Sequence, residues 1–334
     1  VATAAGVSTT TVSHALNGKG VVNPQTVDLI RKVALEINYR PNAIARGLRA
    51  SEFGLIGLVF RPISSLGTFV PEGVDYFLRI AGFASLTAME NRQTLMLVDD
   101  LSKDNQPLSA RAADGYIVVE PFQNDPVLTL LEREGVPFLT IGEDIARRGR
   151  YPNIDTRVSD QVHQVLNHLK SSGASTVALV TGTDQNAWNE ESLKAYNNWC
   201  YLHEQAPMWV AANEADGEAG GQYAFQKLWE REAPHRPDAV FCLMGRQASG
   251  IVQAAQSAKV SVPESLLVAA GSGTVQNQNS SPSVTALDLQ PEVIGQRAVE
   301  AMLSILSDEP VNPENLRVPD AHLILRQSTQ RESL

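Results

Sequence analysis

The stretch GVSTTTVSHALNGKGVVNPQTVDLIRKVALEINYRP, residues 6–41, holds a short polar helix signal followed by a longer amphipathic one. Residues 1–5 read as the end of a preceding helix, and Gly6 supplies the sharp turn after it. Ser8 is an N-cap whose side-chain oxygen is placed to accept a backbone N–H near Thr11. Val12, Ala15 and Leu16 then share one helical face, while Thr9, Thr10, Ser13, His14 and Asn17 occupy the other. Asn17 and Gly18 tolerate the left-handed conformation that ends a helix. Asn23 and Pro24 begin a third helix, with Val27, Ile30, Val33, Ala34 and Ile37 as its apolar stripe. Helix, glycine turn, polar helix and longer helix is the helix-turn-helix order, whose second helix enters the major groove of DNA. On shape alone, a small helical cap with a solvated polar face remains an equal alternative.

The next stretch, YRPNAIARGLRAS at residues 39–51, separates the two. Pro41 disfavours helix at Arg40, and Asn42 can cap a new helix from Ala43. That helix is about two turns long and contains Gly47, which costs roughly 1 kcal/mol relative to alanine. So short a helix is unstable alone in water and orders only against a partner. Ile44 and Leu48 share a face flanked by Arg46 and Arg49, an apolar wedge between arginines that suits insertion into a minor groove. Charge follows the same division. Of the net −10, residues 1–51 carry +4, six basic groups against Asp28 and Glu36, and the other 283 residues carry −14. A basic head on an acidic body meets a polyanion through the head alone.

The motifs GVSTTTVSHALNG, VNPQT, INYRPNAIARGLR and IGLVF resemble, in order, the DNA-binding head, hinge helix and first core strand of the lactose/galactose-repressor family. The resemblance is nearly continuous over residues 1–60. It implies a homodimer that presents two heads to a pseudo-palindromic operator in double-stranded DNA, with paired hinge helices in the central minor groove. It also implies several residues of the first helix ahead of Val1. Thr9 and Thr10 then stand at base-reading positions, with Ser8 at the cap. His14 replaces an arginine common in the family, whose bidentate contact with guanine is worth about 1–3 kcal/mol of discrimination. Ser13, Asn17, Tyr39 and Asn42 are assigned to phosphate, Arg46 and Arg49 to the hinge's surroundings, and Leu48 to the wedge.

Beyond Ser51 the pattern turns α/β. LIGLVF, TLMLV, GYIVVE, PFLTI, TVALVT, AVFCLM and LLVAAG read as buried strands. Helical patterns at 74–90, 127–133, 158–171, 191–203, 219–231 and 247–258 alternate with them, which implies βαβ units and parallel sheets. The expected fold is therefore a small all-α helix-turn-helix head plus an α/β core of two doubly wound parallel-sheet lobes, as in periplasmic binding proteins. The expected boundaries are 1–41 for the head and 42–53 for hinge helix and linker. Residues 54–152 and 289–316 form the N-terminal lobe, and 153–288 and 317–334 the C-terminal lobe. Crossings are placed near 152–155, 285–291 and 316–319, with helix 292–306 returning to the first lobe and AHLILR adding a strand to the second.

Ligands of such cores sit at strand carboxyl ends between the lobes. There the chain departs from the family pattern. Ser192 in ESLKAYNNW stands for an arginine, Met244 in AVFCLMGRQASG for an asparagine, Ser272 in LLVAAGSGT for an acid and Leu289 for a glutamine; Asp155 in NIDT remains. Each buried hydroxyl of a polyol needs a partner, and these losses remove partners. Two readings stay open: a different, less polyol-like effector, with Phe69, Trp188 or Glu191 contributing, or a core that has lost effector binding and serves for dimerisation.

No run of eighteen apolar residues, no basic-then-apolar leader and no CxxC occurs, so a cytoplasmic protein off the membrane, with Cys200 and Cys242 as free thiols, is expected. GSGT at 271–274 lacks the spacing of a phosphate loop, and GxSxG and HExxH are absent. His163 and His168 are spaced poorly for a metal and are read as surface residues, Asp99 and Asp100 as solvated, and Trp199, Trp209 and Trp229 as packing. No enzyme activity, metal or cofactor is expected. A solute-binding protein of the same core fold is the rival, and it would carry no basic head. The wedge reading makes a measurable prediction. Leu48→Ala should lower operator affinity at least tenfold more than affinity for random duplex in parallel titrations; equal losses on both DNAs contradict it.

Overall fold

The computed structural model describes residues 1–18, 20–39, 53–60 and 75–331, with only the backbone of Asn17 and Asp75. Asn42, Arg46, Leu48, Arg49 and Phe69 lie outside the described residues, as does the rest of the expected hinge up to Glu52. The chain divides into two units, 1–53 and 54–334.

In the first unit, α1 (Ala2–Ala5) ends at Gly6, whose φ of 67° suits a residue without Cβ. Ser8 caps α2 (Thr9–Asn17), its Oγ accepting the Thr11 N–H at 3.0 Å. Asn23 caps α3 (Pro24–Glu36) in the same manner through the Gln25 N–H. Val12, Ala15 and Ile30 form the buried centre, with Val7, Leu16 and Val27 packed around it. Ile37, expected in the apolar stripe, is instead half exposed. The helix stops at Glu36 and Asn38 turns the chain at φ 50°, so Ile37 leaves the helical face before it can bury.

The second unit holds two sheets. The first runs β2-β1-β3-β4-β5, all parallel: β1 (Leu55–Val59), β2 (Thr94–Val98), β3 (Gly115–Val119), β4 (Phe138–Ile141) and β5 (Asn153–Ile154). Helices α4 (Asp75–Glu90) and, from the far end of the chain, α11 (Pro291–Leu306) pack on one face through Ile80, Ala84, Ile294 and Met302. On the other face α5 (Pro126–Glu134) supplies Val127, Leu128 and Leu131. Coverage on both sides explains why these strands are continuous apolar runs.

The second sheet runs β11-β10-β9-β8-β6-β7, built from β6 (Val177–Thr181), β7 (Trp209–Ala211), β8 (Ala239–Cys242), β9 (Leu267–Ala270), β10 (Thr285–Asp288) and β11 (His322–Ile324). Only the β10–β11 pair is antiparallel. Alternate residues point to opposite faces. Thus Val177, Leu179 and Phe241 pack with α6 (Val158–Ser171) and α7 (Ala187–Leu202), whereas Ala178, Val180 and Val240 pack with α8 (Gly217–Trp229) and α9 (Gly245–Ser257). The α/β core of two parallel-sheet lobes is as the resemblance implied.

Details differ from the sequence reading. Helix α7 starts four residues before 191, because Asn186 caps it through the Asn189 N–H at 2.9 Å. Strands β5 and β7 went unread because two or three residues carry no periodicity. The crossing expected over 285–291 begins later, since Thr285–Asp288 is still β10. Trp209 does not pack; it lies on the edge strand β7, half exposed. His168 is not a free surface residue, for its Nε2 meets Thr329 Oγ1 at 2.9 Å and burial pushes its pKa down. Both cysteines are free and buried. No helix among the described residues is long and apolar enough to cross a membrane.

Helices α8 and α9 cross where their backbones nearly touch. A Cβ on Gly221 would come 2.0 Å from the Gln247 carbonyl oxygen, and one on Gly250 would come 2.0 Å from that of Glu218. Neither neighbour is a flexible side-chain end, so the backbones must part. Gly250→Ala should therefore cost about 1–3 kcal/mol, read as a lower melting midpoint by calorimetry; an unchanged midpoint would contradict this packing.

Candidate functional site

Two surfaces carry polar chemistry, one on each unit. On the first, the α2 residues Thr9, Thr10 and His14 are exposed along with the cap Ser8, and Tyr39 is half exposed beyond α3. Ser13 is partly buried. Val12 and Ala15 draw the opposite face into the core, so burial fixes which side of α2 meets solvent. The His14 ring lies over Gly20, where a Cβ would come within 2.8 Å of Nδ1. The exposed N-terminal turn also presents unpaired backbone N–H groups, which favour an anion such as phosphate.

On the second unit, the carboxyl ends of both sheets open into one cavity of about 330 Å³, within the usual range for a small-molecule site. The first sheet contributes Glu120 and Phe122 after β3, Gly142 and Glu143 after β4, and Tyr76 and Phe77 from the start of α4. The second contributes Asp184 and Trp188 after β6, Asn213 and Glu214 after β7, Met244 and Arg246 after β8, and Ser272 after β9. Leu289 and Gln161 also line it. A buried amide ties the floor together. Asn277 in α10 (Val275–Asn279) donates to the Gly245 carbonyl at 2.7 Å and to Ser249 at 3.0 Å, and accepts from Thr274.

The carboxyl groups differ in their surroundings. Glu214 accepts from Thr183 N and Oγ1, Asp184 N and Asn189 Nδ2, the last at 2.7 Å. Its charge is thus met by its own lobe. The side-chain carboxyl groups of Glu120 and Asp184 accept no hydrogen bond and form no ion pair among the described residues. Burial, then the charges of Asp184 and Glu214, pushes Glu120 up to about 7. Burial and Glu214 likewise raise Asp184. The neighbouring Tyr76 phenol is raised well above its ordinary value by burial and then by Glu120. Glu120 also sits at φ 44°, sparsely populated for a side-chain-bearing residue.

The lobes touch at the cavity's rim. Phe122 and Asn186 form an antiparallel bridge, and Gln123 N donates to the Gln185 carbonyl at 2.8 Å. Arg148 pairs with Glu143 of its own lobe at 3.1 Å, and with Glu190 and Glu191 of α7 in the other. Arg79 spans α11 and β10 by meeting Glu292 at 2.6 Å and Asp288 at 3.6 Å.

Of the expected cleft residues, Trp188, Met244, Ser272 and Leu289 line the cavity. Glu191 does not; it belongs to the Arg148 cluster at the rim. Ser192 does not either, being fully buried within α7, one helical turn or roughly 6 Å further along the axis than Trp188. Asp155 is exposed in a chain crossing, bridged to Arg317. The sequence reading missed Glu120, Asp184, Glu214, Arg246, Tyr76 and Gln161. The first two follow strands that were read correctly, so tallying polar residues just past each strand would have found them. No cluster of metal-ligating residues occurs among the described ones.

Known proteins carry the same two parts. Residues 1–42 match the model of bacterial regulatory proteins of the lacI family, and residues 166–329 match a periplasmic binding protein-like domain. Catabolite control protein A of Staphylococcus xylosus is 26% identical over 331 residues, covering 96% of this chain and 95% of that protein. The protein of the same name from Staphylococcus epidermidis is 25% identical, with the same coverage of both chains. Among solved structures, the lac repressor dimer bound to operator and the anti-inducer ONPF aligns with a TM-score of 0.80 at 18% identity, over 99% of this chain and 98% of that one. The CelR–cellobiose complex aligns with a TM-score of 0.68 at 20% identity, over 98% of each.

The raised Glu120 has a consequence for stability. A carboxyl whose folded pKa exceeds its unfolded value, about 4.3, stabilises the fold below that value and loses this as pH rises through about 7. Glu120→Gln should leave the core's unfolding free energy unchanged at pH 4 and raise it at pH 8 by an amount on the order of 2 kcal/mol, read as a higher melting midpoint there. Calorimetric melts across pH 4–8 test this; a variant that parallels the parent at every pH refutes it.

Proposed function

We propose a function for this chain on one premise: it belongs to the lacI family of bacterial regulatory proteins. It is a sequence-specific DNA-binding transcription regulator, a homodimer whose operator binding is modulated by a small molecule in the interlobe cleft. The observation that carries this is the presence, in one chain, of an α2 helix with exposed Ser8, Thr9, Thr10 and His14 and of a ligand-sized cavity at facing strand ends. A solute-binding protein would have no use for the first.

Residues 1–41 are the DNA-binding head and 42–53 the hinge helix and linker. The lobes comprise 54–152 with 289–316, and 153–288 with 317–334. In the head, Thr9, Thr10 and His14 read base edges, while Ser13, Asn17, Tyr39 and Asn42 hold phosphate and set register. Leu48 is the minor-groove wedge between Arg46 and Arg49. In the cleft, Trp188, Met244, Ser272 and Leu289 contact the effector. The molecule acts on DNA in the cytoplasm, most simply as a repressor, by binding rather than turnover.

A second copy of the chain has a surface to meet. Leu78, Phe83, Leu86 and Met89 of α4 are exposed, as is Leu97 on the adjoining edge strand β2. Apolar groups grouped in this way on a helix and a sheet edge favour association. Ligand in the cleft favours one angle between the lobes, and in a dimer that angle sets the spacing of the hinge segments and heads.

Selection from random duplex DNA with the full-length chain tests the reading. It should enrich a pseudo-palindromic site, and Leu97→Glu should abolish both enrichment and the dimer in sedimentation velocity. Enrichment of no palindrome by the parent chain would refute the regulator reading.

A further inference from the structure

We infer that the cleft takes a ligand bearing a protonated amino group, whose ammonium sits between Glu120 of one lobe and Asp184 of the other. This rests on the cleft being the effector site.

Four carboxyl groups line the cavity. Two are already satisfied, Glu214 by donors from its own lobe and Glu143 by Arg148. The other two, Glu120 and Asp184, approach from opposite sheets with no donor or cation among the described residues. Arg246 also lines the cavity, yet its guanidinium lies against Gly217 and forms no ion pair with a described residue. A pair of facing carboxyl groups without a cation between them repel when both are ionised. Their proximity is felt in Glu120, for which Asp184 is the largest charge effect after burial.

A second observation, independent of these acids, asks for the same kind of ligand. Gln161 is only 5% exposed and lines the cavity. Its Nε2 donates to the Thr156 carbonyl at 2.7 Å, which fixes the orientation of the amide. Its Oε1 is buried without a partner among the described residues. A buried acceptor in this position needs a donor, and an ammonium or its neighbouring hydroxyl supplies one. Tyr76, Phe77, Phe122 and Trp188 form the aromatic part of the lining, a wall whose π faces attract a cation. Acceptors and π faces thus line the cavity beside Arg246, at a place where the resemblance had implied an arginine and an asparagine at other positions.

The same placement explains a response to ligand. A cation bound between Glu120 and Asp184 interacts with both only when the lobes are closed, so it binds that arrangement more tightly and draws the equilibrium toward it.

The test is calorimetric titration of the full-length protein with glucosamine, galactosamine, putrescine and spermidine beside glucose, galactose and N-acetylglucosamine. At least one amine should bind, with its neutral counterpart weaker by about a hundredfold. Glu120→Gln and Asp184→Asn should each weaken that amine at least tenfold. Melting curves check that both variants fold, and Glu120→Gln is expected to melt no lower than the parent. Binding of neutral sugars alone, indifferent to both substitutions, overturns the ammonium assignment and leaves the effector cleft standing. Absence of binding across the whole panel overturns both, and operator selection then stands or falls separately.

Discussion

The cleft exists because two parallel sheets lie end to end, joined by chain crossings that hold their strand carboxyl ends toward each other. Two of the crossings are bonded together. Asp155 N donates to the Leu316 carbonyl at 2.9 Å, and Val318 N returns to the Asp155 carbonyl at 3.2 Å, a short parallel ladder between the lobes. The third passes through Leu289 and Gln290, the latter at φ 52°. In parallel strands every loop leaving a carboxyl end emerges at one edge. Glu120, Asp184, Glu214, Met244 and Ser272 therefore reach the same space although they lie far apart in the chain. A glutamate or serine there acquires chemistry that the same residue on a helix surface would lack.

Across that space attraction and repulsion oppose each other. Arg148 and Arg79 link the lobes through side chains that are about a third or more exposed, and exposed pairs contribute at most about 1 kcal/mol each. Against them stand two carboxyl groups, Glu120 and Asp184, with no cation partner among the described residues. The α8–α9 contact and the Asn277 network, in contrast, are rigid. They sit within one lobe and keep the loops after β8 and β9 in place while the lobes adjust.

The head solves a different problem. Its core is small, centred on Val12, Ala15 and Ile30, and a domain of this size has little apolar area to spare. Local devices make up part of the difference: Ser8 and Asn23 cap their helices, Pro24 starts the third, and Gly6 and Gly18 close the first two in left-handed geometry. Each constrains the backbone without using the outer face of α2. Hydroxyl and imidazole groups on that face remain available for a nucleic-acid surface.

The sequence by itself determined the elements whose causes are local. Caps, proline positions and a 3.6-residue apolar period fixed α2 and α3, and continuous apolar runs fixed the buried strands. The same period also carried Ile37 one residue too far, past the stop that Asn38, a residue tolerant of the left-handed turn, marks locally. What faces the cleft was not legible in this way. Ser192 and Glu191 follow Trp188 within one helical turn, yet one is buried in α7 and the other pairs with Arg148. Two- and three-residue strands such as β5 and β7 exist only because neighbours offer them a ladder. Only the tertiary structure decided that Glu120 and Asp184 stand opposed without a counter-ion among the described residues, because that depends on the packing of two lobes rather than on the residues flanking either acid.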